Sequence, residues 1–168
     1  MKTLYLVRHA SASIDSPTRK DIDRQLSYLG INEAETVAGY LMKNKQRADQ
    51  IITSPAERAS ATAQLFAKHF FYPVDKIQND LSMYEGKKAE LIKVIRSCDN
   101  AIQNLLFIGH NPAITEVANE LSDKPLVSFK PAGIARIDFE IENWDMLPEK
   151  GALKFYTDPQ LLNSAPSL

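Results

Sequence analysis

Cysteine is almost absent: Cys98 is the only one in 168 residues. No intramolecular disulfide can form, and a reducing compartment is the expected setting. A basic excess is also missing. The formal net charge is -1, which argues against nucleic acid as the main partner, because phosphate-backbone binders carry surplus lysine and arginine. Long apolar runs are lacking too. The stretch Thr3 to Val7 breaks at Arg8, too soon for a signal-peptide core or a membrane span. No lipid-anchor motif is present, so a cytoplasmic protein without a membrane partner is expected. The histidines are only three, His9, His69 and His110. None sit at ligand spacing and no cysteine cluster accompanies them, so neither a metal nor another cofactor is expected. Internal repeats, low-complexity segments and composition breaks are absent. The length suits a single domain over residues 1–168 with a sizeable core.

What is present alternates between two periodicities. Thr3 to Val7 is a short apolar run that reads as a buried, central strand. Ser11 to Gln25 is polar, contains Pro17 and reads as a loop. Ser27 is placed to cap a helix reaching about Lys45, with Ile31, Ala34, Ala38, Leu41 and Met42 at three- and four-residue steps. Asp49 to Thr53 reads as a second strand. Ser54-Pro55-Ala56-Glu57 then predicts a helix start, with Ser54 as N-cap, Pro55 in the first turn and Glu57 closing a capping box. Lys87 to Ile95 is helical by pattern, Leu105 to Gly109 is another buried strand, and Asn111 is placed to cap a further helix. Ala135 to Ile141 and Gly151 to Tyr156 follow as strands. The polar tail from Asp158, with two prolines, is expected to be loosely held. Strands alternating with helices predict an α/β protein, a three-layer sandwich with a mostly parallel central sheet flanked by helices.

Chemistry collects where these strands end. Ligands of open α/β sheets bind beyond the carboxyl ends of the strands. The first strand ends in Arg8-His9. The second leads through Ser54 to Arg58, and the third ends in Gly109-His110-Asn111. If those strands are neighbours, two arginines and two histidines meet beside two helix N-termini. Such a collection of cations and N–H donors suits a compact dianion such as phosphate.

The same residues resemble a known pattern. Leu6-Val7-Arg8-His9-Ala10 resembles the Arg-His-Gly signature of the histidine phosphatase superfamily, with Ala10 in place of glycine. Ser54-Pro55-Ala56-Glu57-Arg58-Ala59-Ser60-Ala61-Thr62-Ala63 resembles its second motif, and Gly109-His110-Asn111-Pro112 its second histidine motif. The short length, Asp23-Arg24-Gln25-Leu26-Ser27 and Lys130-Pro131-Ala132-Gly133-Ile134-Ala135 resemble the SixA-like phosphohistidine phosphatase branch. The resemblance covers nearly the whole chain and implies a phosphoglycerate mutase-like fold.

It also implies a two-step phosphatase. His9 would attack phosphorus, form a phosphohistidine and be regenerated by water, releasing inorganic phosphate. Arg8, Arg58, His110 and Asn111 would contact the substrate, the first three offsetting charge on the non-bridging oxygens. His9 must then be neutral at its attacking nitrogen, a state that neighbouring arginines favour. Its other nitrogen should donate to a backbone carbonyl. His110 is expected to be cationic when phosphate is bound. The superfamily's carboxylic acid has two candidates, Asp80 and Glu85. Spacing favours Asp80, and an imidazole leaving group has less need of such an acid.

Other polar residues carry plainer expectations. His69, beside Phe70 and Phe71 near a helix end, is a structural histidine. Cys98 lacks the neighbours of a reactive thiol. Asp21 and Asp23 read as solvated loop acids or local caps, with Asp23 placed to orient Arg24. Three functions remain open from the residues alone. The first is a phosphatase for phosphohistidine on a protein, and the second a phosphomonoesterase for a small phosphorylated metabolite. The third is a phosphate-binding module without turnover.

Overall fold

In the computed structural model, which describes residues 1–164, the opening apolar run becomes strand β1 (Lys2–Arg8). The other elements follow as α1 (Tyr28–Lys43), β2 (Gln50–Thr53), α2 (Glu57–Phe70), β3 (Gln78–Asn79), the single turn α3 (Ser82–Glu85), α4 (Lys88–Arg96), β4 (Asn104–Gly109), α5 (Ala113–Leu121), β5 (Ile134–Phe139), β6 (Ala152–Thr157) and α6 (Pro159–Ser164). One sheet runs in the order β3-β2-β4-β1-β5-β6. Its first four strands are mutually parallel, and β5 is antiparallel to both β1 and β6. The sheet is mostly parallel as expected, and mixed because β5 alone is reversed. The β5–β6 connection contains no α-helix, which a parallel join of those two strands would need.

Strand alternation builds the three layers. On one face Leu4, Leu6, Leu105 and Phe107 pack against Met83, Leu91, Ile95, Ile114, Val117 and Trp144, from α3, α4, α5 and the 144–146 turn. On the other, Tyr5, Val7, Ile51, Leu106 and Ile108 meet Ala34, Val37 and Leu41 of α1 and Ala59, Ala63 and Phe66 of α2. Each fully buried Leu, Ile or Phe contributes about 1.5–3 kcal/mol relative to exposure.

Local chemistry explains the helix ends that matter for the site. Ser27 caps α1 as expected, its Oγ accepting the Gly30 N–H at 3.0 Å. Gly30 is required there because a β-carbon would lie 1.9 Å from the Ser11 carbonyl oxygen, which pins the 11–27 loop onto the helix. The two other expected caps do not form. The chain bends at Pro55 and Ala56, so α2 starts at Glu57, and the buried Ser54 accepts the Ala56 N–H at 3.2 Å while remaining at the strand end. Likewise α5 starts at Ala113. Asn111 instead accepts from the Thr115 hydroxyl at 2.7 Å and donates to the Phe129 carbonyl at 3.1 Å.

The tail expectation is also corrected for residues 158–164. From Pro159 they form α6, whose Leu162 packs against the α1–α2 layer. Pro166 and its neighbours, 165–168, lie outside the described residues. His69 pairs with Glu35 and ties α2 to α1, the structural role expected of it. Burial pushes the half-buried Cys98 thiol up to about 11, against reactivity. Among the described residues, no helix is long and apolar enough to cross a membrane.

Candidate active site

Register brings the strand ends together. β1 lies beside β4 with Arg8 opposite Gly109, so His9 and His110 leave the sheet side by side. β2 lies on the other side of β4 with Thr53 opposite Ile108, so Ser54 emerges at the same edge. A cavity of about 550 Å³ opens there, lined by Arg8, His9, Ser11, Ala12, Asp21, Arg24, Arg58, Tyr84, His110, Asn111 and Pro131. The sequence-derived residues Arg8, His9, Arg58, His110 and Asn111 therefore do converge. The candidate acids do not. Asp80 Oδ1 accepts the Ser82 N–H at 2.8 Å at the start of α3. Glu85 lines a separate groove with Gly86 and Lys87. The single turn of α3 presents Tyr84 to the cavity and leaves both carboxylates outside it.

His9 is held on several sides. Its N–H donates to the Gly109 carbonyl at 3.0 Å, and its carbonyl accepts from the Ala132 N–H at 3.3 Å. The next N–H, of Ala10, donates to Thr62 Oγ1 at 3.1 Å, and that hydroxyl donates to the Arg58 carbonyl at 2.7 Å. Ala10 is not among the positive-φ residues and its methyl is fully buried, so alanine is accommodated where the motif has glycine. His9 Nδ1 lies 2.7 Å from the Ala10 carbonyl oxygen. A carbonyl only accepts, so Nδ1 carries the proton and Nε2 the lone pair. Burial pushes the pKa of His9 down to about 4. The Ala10 carbonyl opposes the shift, and Arg58, Arg8 and Arg24 add to it. Burial, more than the arginines, is what keeps this ring neutral.

His110 is neutral for related reasons. Its Nε2 is 2.8 Å from Ser54 Oγ and its Nδ1 is 3.5 Å from Arg58 Nη2. A guanidinium only donates, so Nδ1 is the accepting nitrogen and Nε2–H donates to Ser54. Burial, His9 and Arg58 push its pKa down to about 3. A cationic His110 thus needs the offsetting charge of a bound dianion. The two rings lie 4.9 Å apart, and Tyr84 meets His110 edge-on at 5.5 Å.

Arg58 is only 6% exposed. Its Nη1 donates to the Asp21 carbonyl at 2.7 Å and its Nη2 to Asp21 Oδ2 at 2.9 Å. Asp21 also accepts from Arg24 at 3.1 Å and from the Tyr84 hydroxyl at 3.0 Å. Partial burial would raise its pKa, but these hydrogen bonds outweigh it and hold the carboxyl down to about 2. Arg8 donates through Nη1 to the Phe129 carbonyl at 2.8 Å, the same oxygen that Asn111 holds, and its buried Nε has no partner among the described residues. Three guanidiniums against one carboxylate leave the cavity cationic, fit to receive a compact dianion beside the free lone pair of His9.

Sequence reasoning placed Arg24 near the pocket mouth but weighed Asp23 rather than Asp21 as its partner, and it missed Asp21 and Tyr84 as cavity residues. One signal was available. The 11–27 loop leaves the carboxyl end of β1 and must return along that edge to begin α1, so its polar residues have to border the cavity. No group of three or more His, Cys, Asp or Glu among the described residues is placed to hold a metal.

The two neutral histidines make stability depend on pH. In the unfolded chain both take up protons below about pH 6.5, whereas folded His9 and His110 stay neutral down to about 4 and about 3. The unfolded state binds more protons in that window, so stability falls as pH drops from 6.5 towards 4. Urea midpoints measured across this range should decline, and His110→Asn should make the decline shallower.

Comparison with known proteins places the chain. A family model for the histidine phosphatase superfamily (branch 1) matches residues 4–88, just over half of the chain. The fold is similar to that of the protein histidine phosphatase SixA complexed with tungstate, with a TM-score of 0.81 and 19% identity over 94% of this chain and 97% of that one. A protein of Agrobacterium tumefaciens provisionally assigned as a phosphohistidine phosphatase SixA gives 0.78 and 25%, over 93% of this chain and 97% of that one. A mycobacterial glucosyl-3-phosphoglycerate phosphatase shares the fold at 0.64 and 12%, over 92% and 97%. The matched segment runs from β1 to the start of α4 and contains Arg8, His9, Ser54 and Arg58, and by it this chain belongs to branch 1 of the histidine phosphatase superfamily and is a phosphatase.

Proposed function

We propose that this phosphatase acts on phosphohistidine displayed by a protein and carries the phosphoryl group on His9. Nε2 of neutral His9 attacks phosphorus in line with the substrate's P–N bond. The new N–P bond forms as the old one breaks, and the electron pair of the broken bond stays on the substrate ring nitrogen. Arg8, Arg58 and, once the bound dianion has drawn a proton onto its Nδ1, His110 donate to the non-bridging oxygens, with the tight backbone clamp on His9 supplying its orientation. Water then attacks phosphorus, Nε2 recovers its lone pair, and inorganic phosphate leaves. The proton stays on Nδ1, donated to the Ala10 carbonyl throughout, so His9 needs no change of tautomer.

The observation that carries this reading is the state of Asp21. Among the described residues it is the only carboxylate lining the cavity, and its partners hold it ionised at neutral pH. It has no proton to give to a departing alkoxide. An imidazole protonated on its distal nitrogen leaves as a neutral ring and needs none. The lone pair of His9 disfavours a module that binds without turnover, since a cationic histidine would hold phosphate better than a neutral one.

The test is turnover of a phosphohistidine-bearing protein against a panel of sugar phosphates, nucleotides and other phosphate esters. Phosphohistidine should be favoured at least ~100-fold in kcat/KM, the scale of a leaving group's share in transition-state stabilisation. Preference for a metabolite ester by orders of magnitude would overturn the substrate assignment and favour the metabolite phosphatase.

A further inference from the structure

A carboxylate in a cavity built for a dianion works against phosphate binding, so its presence needs a purpose. Holding Arg58 is not sufficient, because the Asp21 backbone carbonyl already takes Arg58 Nη1 at 2.7 Å. The side chain has about four acceptor positions, and three are filled among the described residues. Arg24 Nη1 donates to Oδ1, and Arg58 Nη2 and the Tyr84 hydroxyl donate to Oδ2. One position remains on Oδ1, on a side chain that is 51% exposed and lines the cavity. Arg58 Nη2 also lies 3.5 Å from His110 Nδ1, so one guanidinium joins the phosphoryl-binding donors to the Asp21 carboxylate. That carboxylate therefore stands one guanidinium away from His110 at the cavity.

We infer that Asp21 is a specificity-determining acceptor: its free Oδ1 position takes a hydrogen bond from the leaving imidazole, at the ring N–H distal to the phosphoryl group. The inference rests on the phosphohistidine reading and names the feature that selects for it. Protonated phosphohistidine carries positive charge on its ring, and a fixed anion beside that ring favours the protonated form. As His9 Nε2 bonds to phosphorus and the P–N bond breaks, the electron pair collects on the proximal ring nitrogen. The distal proton stays on the ring, hydrogen-bonded to Asp21, and the imidazole leaves neutral. No proton passes to Asp21, so an ionised carboxylate is the state the step requires. An alkoxide or phenolate offers that oxygen no N–H and is repelled by its charge.

Asp21→Asn tests this with two substrates, a phosphohistidine-bearing protein and p-nitrophenyl phosphate, whose phenolate departs without a proton. Any loosening of Arg58 lowers kcat/KM for both by the same factor. Loss of the anion lowers the phosphohistidine value further, so the ratio of the two should fall at least ~10-fold. Residual aryl phosphate turnover reports that the variant is folded. An equal fall for both substrates overturns the inference and leaves Asp21 as a positioning residue for Arg58, with the phosphohistidine reading intact. Failure of the wild-type protein to hydrolyse phosphohistidine, with aryl phosphate turned over, overturns both.

Discussion

His9→Ala should lose at least ~10⁴-fold in kcat, the scale of removing a nucleophile that forms a covalent intermediate. No neighbour can take its place. His110, 4.9 Å away ring to ring, has Nδ1 turned to Arg58 and donates its Nε2–H to Ser54. The loss should be one of chemistry and not of folding. The backbone bonds of residue 9 to Gly109 and Ala132 survive the substitution, and a ring kept neutral at a cost in acid is removed. The thermal midpoint at neutral pH should therefore change little, and at about pH 5 the variant should lose less stability than the wild type. Rapid quenching of the wild type with labelled substrate should trap an acid-labile, base-stable phosphoryl adduct, absent from the variant. Turnover within tenfold of wild type, or an adduct that persists, would move the nucleophile elsewhere.

Arg58→Ala should cost about 10²–10³-fold in kcat/KM, the range for removing one preorganised donor to a developing oxyanion. Two further effects separate it from a simple loss of charge. Arg58 helps depress the pKa of both His9 and His110, so without it both rings gain protons at higher pH. The penalty should be larger at about pH 5.5 than at pH 8, because a protonated His9 has no lone pair to offer. The substitution also strips Arg58 from the carbonyl and carboxylate of Asp21, but Asp21 is exposed and water can take the place of the lost donors, so the loss of stability should be small. Arg58→Lys should recover part of the binding but remain well below wild type, since an ammonium cannot hold Asp21 and phosphate through one rigid fork. A kcat/KM profile with the same shape in wild type and Arg58→Ala would sink this account of the histidines.

Much of the architecture was legible because its signals are local. The apolar runs at residues 3–7, 49–53 and 105–109 became β1, β2 and β4, and Ser27 caps α1 as its spacing predicts. Capping at Ser54 and Asn111 was not legible, although both residue types favour it. Tertiary partners claimed those side chains first: Ser54 faces His110, and Asn111 spans Thr115 and Phe129. The carboxylate near the phosphoryl site was misplaced for a similar reason. Spacing pointed to Asp80, but Asp80 is taken up by the turn it begins.

By itself the sequence determined which residues leave the strand ends, namely Arg8, His9 and His110, and that Arg58 stands just inside the following helix. Those are consequences of periodicity and chain order. Tertiary structure decided which strand lies beside which, that β5 runs against its neighbours, and that the 11–27 loop folds back to set Asp21 on Arg58. It also decided the protonation of the site, because burial is what pushes His9 and His110 below their ordinary range. Burial and long-range pairing depend on the whole chain packing at once, and neither is encoded in any local stretch of it.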